Sequence, residues 1–554
     1  MSAHAGMAPI PASDRDLYNK AMMEEGMEKR YGEGYRHRED VKNSVGRLLF
    51  VGISALIQLL WFAFIILRLS ESYLWVSAVL RILTIAAVLR IFGRHTNATI
   101  KLSWIVFIMA TPILGLVFYL LSYRSNFVNT MSKRFRKLDS LLLSKLPDTS
   151  ALVERLRCEN PGVGNQAYFL QRSAGFPLYQ DTDVAYYSDA RQGLEAQKEA
   201  LRHAERFIFM EYHAIEDREA FGELREILTE RARAGVEVRI FYDEVGSVGF
   251  LTRGFIREME SYGIRCRVFN PIMPLVNLFM NNRDHRKITV IDGRISFTGG
   301  YNLADEYFNL THPYGIWKDS GIRMEGAAVR TMTMLFLEMW NAMDRSGMED
   351  VSKYLDDTEG DAERRGFTAK ERDAYILPYA DTPLDELHTG EDVYLNVLKN
   401  AKYYVYIITP YLIPTDDMVR ELTLAARRGV DVRILTPGIP DKPLIYGMTR
   451  SYYGALAREG VRLFEYTPGF CHAKQVVADG ELAVIGTINF DYRSLYHHFE
   501  NAVLLYRYAC IAEMREDFLH CLEESGEVTA RYRDGRSAVL RIGQCVLRLF
   551  APLL

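Results

Sequence analysis

The chain has 554 residues, a formal charge of −4 and a sequence pI near 6.4. That length suits two or three domains, and the near-balanced charge leaves no basic footprint, so nucleic acid is not an expected partner. Six cysteines (Cys158, Cys266, Cys471, Cys510, Cys521 and Cys545) form no C-x-x-C pair and no dense framework, which fits a reducing compartment.

Residues 1–47 are polar, mixed in charge and without periodicity, and read as a tail. The first apolar run begins too late for a signal peptide. Leu48–Leu67 and Leu102–Leu121 are uncharged runs long enough to cross a bilayer, with Pro112 as an expected kink in the second. Between them, Tyr73–Phe92 is apolar but carries Arg81 near its middle and Arg90 near its end; a central Arg costs about 2.5–3.5 kcal/mol on insertion scales. Basic residues flank both ends of the 48–124 region. By the positive-inside rule they favour a multi-pass protein of the cell membrane with an even number of spans and a cytoplasmic catalytic region.

A basic, then polar juxtamembrane linker is expected over 125–165, followed by two catalytic halves over 166–365 and 366–535. In the first half FIFMEY (207–212) reads as a strand, 219–234 as a helix and VEVRIFYD (236–243) as a strand. In the second, YYVYIITPY (403–411), a helix over 416–428 and VDVRIL (430–435) repeat that order, and AGVEVRI aligns with RGVDVRI. The acidic stretch 356–372 is the expected join. Residues 536–554 have helical apolar spacing with Arg541 and Arg548 interleaved, and suit either a membrane-surface helix or one packed on the catalytic region.

The strongest signal is a duplicated motif. HRKITVIDGRISFTGGYN (285–302) and HAKQVVADGELAVIGTIN (472–489) both obey H-x-K-x4-D-x6-G-[GT]-x-N, 472 − 285 = 187 residues apart. The β-branched intervals predict strands, on which residues i and i+2 share a face, so His285 stands beside Lys287 and His472 beside Lys474. Asp292-Gly293 and Asp479-Gly480 predict two-residue turns into return strands that end near Asn302 and Asn489. Imidazole, ammonium and amide together suit a phosphate. No HExxH pair, Walker loop or G-x-G-x-x-G strand end points to a metal or nucleotide cofactor, and none is expected. Cys471, with no counterpart beside His285, reads as a packing residue, and His497 and His498 as surface or packing residues.

The paired motifs resemble the phospholipase D superfamily, whose members use two such motifs as one active site. GGYNLADEY (299–307), WKD (317–319), TPYLIP (409–414), YTPGFCHAK (466–474) and GTINFDYRSLYHHFE (486–500) resemble bacterial cardiolipin synthases. The implied fold is α/β: two pseudo-symmetric phospholipase-D-like α/β/α sandwich halves with mixed sheets, behind an N-terminal helical membrane region.

The implied catalytic set is His285, Lys287, Asp292, His472, Lys474 and Asp479. Asn302 and Asn489 would hold the phosphate, and one acid in each half, Asp319 and Glu500, would fix an imidazole tautomer. The turn positions of Asp292 and Asp479 point to hairpin fixing through backbone bonds. The implied reaction moves a phosphatidyl group from one phosphatidylglycerol to another through a phosphohistidine on His285, with His472 as acid and base, giving cardiolipin and glycerol. Tyr301, Tyr411, Phe470 and Tyr492 are aromatics for a lipid entrance or for the core. A membrane-bound phospholipase D using water, a nuclease and a non-catalytic scaffold are the competing readings, and a homo-oligomer stays open.

Overall fold

The computed structural model describes residues 52–53, 56–65, 67–68, 73–123, 126–252, 254–270, 282–344, 349–355 and 369–533, with short pieces between 543 and 551. The tail 1–47, most of the 356–372 join and most of the C-terminal segment lie outside them.

Two mixed sheets carry the fold. The first has seven strands in the order Thr182–Tyr187, Gly321–Gly326, Ile295–Gly299, Lys287–Ile291, Phe207–Tyr212, Glu237–Asp243 and Arg265–Phe269. Its last three strands are parallel and the rest antiparallel. The second repeats this order with Tyr375–Asp381, His498–Tyr506, Leu482–Gly486, Gln475–Ala478, Tyr404–Ile408, Asp431–Pro437 and Arg462–Tyr466, and Ser525–Glu527 extends its edge. The halves predicted from the repeat are thus two mixed α/β sheets of matching topology.

The motif strands Lys287–Ile291 and Gln475–Ala478 are buried at every position, as β-branched runs covered on both faces should be. One apolar core draws on both sheets: Phe209, Val290 and Ile322 join it from the first, Leu377, Val405 and Val477 from the second. The helix Val329–Ala342 lies in this core with every residue but Arg330 buried. Two short strand pairs also cross between the halves: Arg283–Asp284 with His498–Phe499, and Ile316–Lys318 with Gly469–Cys471. These crossings fix one motif against the other.

The hairpin turns explain the motif aspartates. Asp292 and Gly293 adopt φ of 56° and 70°, Asp479 and Gly480 of 54° and 74°, the two consecutive left-handed residues of a tight hairpin turn. Asp292 accepts backbone N–H bonds from Glu205, Arg206 and Phe207 at 2.7–2.9 Å, and Asp479 from Lys402, Tyr403 and Tyr404 at 2.7–2.9 Å. Each carboxylate thereby ties its turn to the start of the neighbouring strand, seven residues or roughly 23 Å along the chain from its imidazole at about 3.3 Å per residue. This is the hairpin bonding that their turn positions predict. Asp292→Ala and Asp479→Ala are expected to lower stability by about 2 kcal/mol each, read by thermal unfolding, with turnover per folded molecule retained.

The N-terminal region departs from the expected spans. Leu74–Phe92, the segment compromised by its arginines, is a continuous 19-residue apolar helix and the one described helix long and apolar enough to cross a membrane. Leu102–Leu121 is not one helix. Helices Ala98–Ala110 and Pro112–Tyr123 fold back on each other, with Trp104 against Tyr119 at 5.5 Å and Phe107 against Phe118 at 6.0 Å between ring centroids. Pro112 supplies no N–H and keeps Thr111 out of the helical region (φ −137°, ψ 74°), while Gly115 lets the returning helix close on Ile108, where a Cβ would sit 2.6 Å from Cα. A reversal therefore replaces the expected kink, and a multi-pass topology is not supported. Leu48–Leu67 is described only in part, as the helix Leu56–Ile65.

Within 125–165, the helix Asn126–Leu143 buries Phe135, Leu138 and Leu142 in the main core, so part of the expected linker is catalytic framework. Near the C-terminus, Leu547 and Ala551 pack with Ile100, Ile413 and Tyr452, and Arg548 donates to Ser451. For these residues, packing on the catalytic region is what the structure shows.

Candidate active site

Each motif places its His at the mouth of a buried hairpin, and the Lys two residues on turns back to it. Lys287 Nζ donates to the His285 carbonyl at 2.8 Å. Lys474 Nζ donates to the His472 carbonyl and lies 2.8 and 2.9 Å from that imidazole's two nitrogens. The shared strand face predicted from the spacing is thus realised twice.

The acids pair across the halves. His285 Nδ1 donates to Glu500 at 2.9 Å, although Glu500 follows the second motif. His472 Nδ1 donates to Asp319 at 2.7 Å, although Asp319 follows the first. Each half supplies its expected acid, and each acid holds the histidine of the other half. The cause lies in the crossed strand pairs: His285 N donates to the Phe499 carbonyl at 2.9 Å, and His472 N to the Lys318 carbonyl at 2.7 Å. Each histidine is therefore stitched to the strand that carries the other half's acid. The crossings thus bring both histidines to the seam with Nδ1 on an acid, and at His472 the Lys474 ammonium lies beside Nε2 as well.

Burial sets the charges at the seam. Lys287 is lowered to about 8, by burial and against the fields of Glu500, Asp284 and Asp319. Lys474 is lowered to about 7, by burial and then by Lys287, against Asp319 and Glu500. His472 falls to about 4 through burial and Lys474, and His285 falls well below its ordinary value through burial and Lys287. Asp319 is held below the usual carboxylate range by His472 and Lys474 despite its burial. Two imidazoles and two lysine amines are thus buried where the halves meet, each shifted toward its neutral form chiefly by burial.

The asparagines differ. Asn302 is committed, accepting from Ala214 N at 3.1 Å and donating to Tyr307 Oη at 2.8 Å. Asn489 has its amide oxygen buried with no hydrogen-bond partner among the described residues. Asn302 thus braces the wall with one amide N–H to spare, whereas the open atom of Asn489 is an acceptor.

Several neighbours escaped the sequence reading. The His472 ring is boxed by Tyr307, Trp317 and Phe470 at centroid distances of 5.2, 5.4 and 5.8 Å. The His285 ring instead has His213 at 5.0 Å and His498 at 5.5 Å. Thr487 Oγ1 donates to Glu500. Cys471 is buried among Tyr406, Ile408 and Phe464, and burial pushes its thiol up, as suits packing. Tyr301, Phe470 and Tyr492 are likewise buried, and Tyr411 is partly so.

Known proteins are similar to this chain in sequence and fold. A family model described as "Cardiolipin synthase, PLD-like domain" matches residues 198–340 and 394–522, and one described as "Phospholipase D-nuclease N-terminal" matches 82–122. A cardiolipin synthase of Halalkalibacterium halodurans is 32% identical over 470 residues, 84% of this chain and 91% of that one. The chain belongs to the cardiolipin synthase family of the phospholipase D superfamily. A cardiolipin synthase of Geobacillus kaustophilus is 32% identical over 478 residues, covering 85% of this chain and 92% of its own. The phosphatidylserine synthase of Haemophilus influenzae Rd KW20 shares the fold, with a TM-score of 0.52 at 13% identity over 70% of this chain and 98% of that one. Family membership makes the protein a phosphatidyltransferase acting on phospholipids. Its apolar helix Leu74–Phe92, with Leu89 67% and Phe92 73% exposed to the surroundings, marks association with a membrane.

Proposed function

We propose that the protein condenses two phosphatidylglycerol molecules into cardiolipin and glycerol at the seam between its halves. The crossed pairing of His285 with Glu500 and His472 with Asp319 carries this reading, because it brings two oriented imidazoles to one phosphate site. His285 Nε2 attacks phosphorus and forms the N–P bond as the bond to the glycerol headgroup breaks. His472 gives its Nε2 proton to the departing alkoxide. The neutral His472 then takes the proton of the terminal hydroxyl on a second phosphatidylglycerol. That oxygen attacks phosphorus, the N–P bond breaks, and His285 is restored.

The role assignment follows the electrostatics. Burial and a neighbouring lysine keep both imidazoles neutral in the free enzyme, so the acids separate the roles. Asp319, ionised beside His472, supports an imidazolium there once a phosphodiester supplies further negative charge. Lys287, Lys474 and Asn489 face the phosphoryl oxygens and offset charge in the transition state. We also place the catalytic region in the cytoplasm, because Lys133, Arg134, Arg136 and Lys137 follow the apolar region.

The test is to incubate the full-length protein with phosphatidylglycerol vesicles and weigh the products. Cardiolipin with equimolar glycerol is expected, whereas phosphatidic acid alone would mean that water is the acceptor. A pH series adds a signed prediction. Both lysines titrate below their ordinary 10.5 in the free enzyme, Lys474 through about 7 and Lys287 through about 8, so their charge is complete only about one unit below the first and fades through both. Bound phosphate holds them charged. Thus kcat/KM should fall by about tenfold per unit between pH 7 and 8 and more steeply above 8, where both lysines discharge, while kcat falls less, one pKa unit being about 1.4 kcal/mol. A flat kcat/KM to pH 9.5 (about 1.5 units past the higher pKa) would remove the lysines from phosphate binding.

A further inference from the structure

The reaction makes no use of His498. In the strand His498–Tyr506 it pairs in register with Arg283, two residues before His285, which brings its ring to that histidine's side. Its Nδ1 lies 3.6 Å from Glu500 Oε1, beyond hydrogen-bond reach, and neither ring nitrogen has a hydrogen-bond partner although only 11% of the side chain is exposed. Buried imidazole nitrogens left in this state call for an explanation.

The Glu500 carboxylate lies between two imidazole nitrogens, at 2.9 Å from His285 Nδ1 and 3.6 Å from His498 Nδ1. One donor atom from each of His285, His498 and Glu500 falls within 4.8 Å of the others. Two imidazoles and one carboxylate are the donor set of zinc-class cations. With metal–donor distances near 2.0–2.2 Å, donors must come within about 4 Å of one another, which a small swing of the unanchored His498 ring supplies. His213 cannot take this place through Nδ1, which donates to the Asp284 carbonyl at 2.7 Å. Beside His472 the corresponding surroundings are the aromatic rings of Tyr307, Trp317 and Phe470, so the donor set exists on one side of the seam alone among the described residues.

We propose that His285, His498 and Glu500 form a binding site for a zinc-class divalent cation whose occupancy shuts the enzyme off. A cation held by His285 Nδ1 replaces the proton that this nitrogen donates to Glu500. The displaced proton moves to Nε2, the nitrogen that must attack phosphorus, and the nucleophile is capped. The charge balance closes within the imidazole, which stays neutral. The binding step does not depend on which lipid is the substrate, so failure of the proposed reaction and failure of this site are separable.

The test uses chelator-treated full-length protein titrated with zinc chloride, and with magnesium chloride as a hard-cation control. One zinc per chain is expected, with no response to magnesium, and zinc should inhibit turnover reversibly on addition of chelator. His498→Asn is expected to keep basal turnover while binding zinc at least about tenfold more weakly and losing the inhibition. X-ray absorption of the zinc-loaded wild type, which needs no variant, should show nitrogen and oxygen neighbours only. Absence of stoichiometric zinc, unchanged binding in His498→Asn, or sulfur ligation would each overturn the site.

Discussion

His285→Ala is expected to abolish turnover, by at least about 10⁴-fold, because the covalent step loses its nucleophile. His472→Ala is expected to cost about 10²–10⁴-fold, the worth of a positioned acid and base. The two losses should differ in kind. With a phosphatidyl ester of an activated phenol, whose leaving group needs no proton, His472→Ala should still form the covalent phosphatidyl-enzyme, while His285→Ala should not. The reverse pattern would exchange the roles. Half of the activity surviving in each variant would mean two independent sites and would discard the shared seam.

The second large effect comes from the crossed acids. Glu500→Gln and Asp319→Asn are each expected to lose about 10²–10⁴-fold in kcat, since an amide no longer holds the imidazole in the required tautomer. The leaving group shows which acid serves which histidine. Asp319 acts through His472, so the activated ester should erase most of the Asp319→Asn defect in the first step. Glu500 acts through His285, so its defect should persist. If pairing stayed within each half, the ester would rescue Glu500→Gln instead.

Much of the site was legible because its information is local. A period of two put His and Lys on one face, and Asp-Gly announced each turn, where the carboxylates of Asp292 and Asp479 collect three backbone amides. The repeat likewise announced two sheets of one topology. The exchange of acids was not legible, because it depends on strand pairs between residues about 150–215 positions apart, such as Cys471 with Lys318 and Arg283 with His498. His498 was read as packing for the same reason: only the crossing strand reveals its neighbour. In the membrane region, hydropathy ranked Leu102–Leu121 above Tyr73–Phe92, yet hydropathy cannot see that Thr111, Pro112 and Gly115 together fold the former back on itself.

The account stands on two imidazoles serving one phosphorus, and the stoichiometry of the covalent intermediate tests it most directly. Wild-type protein mixed with phosphatidylglycerol, quenched in a single turnover and digested, should carry one phosphatidyl group per chain, on the peptide that contains His285. Two groups per chain, one on each motif histidine, would contradict it.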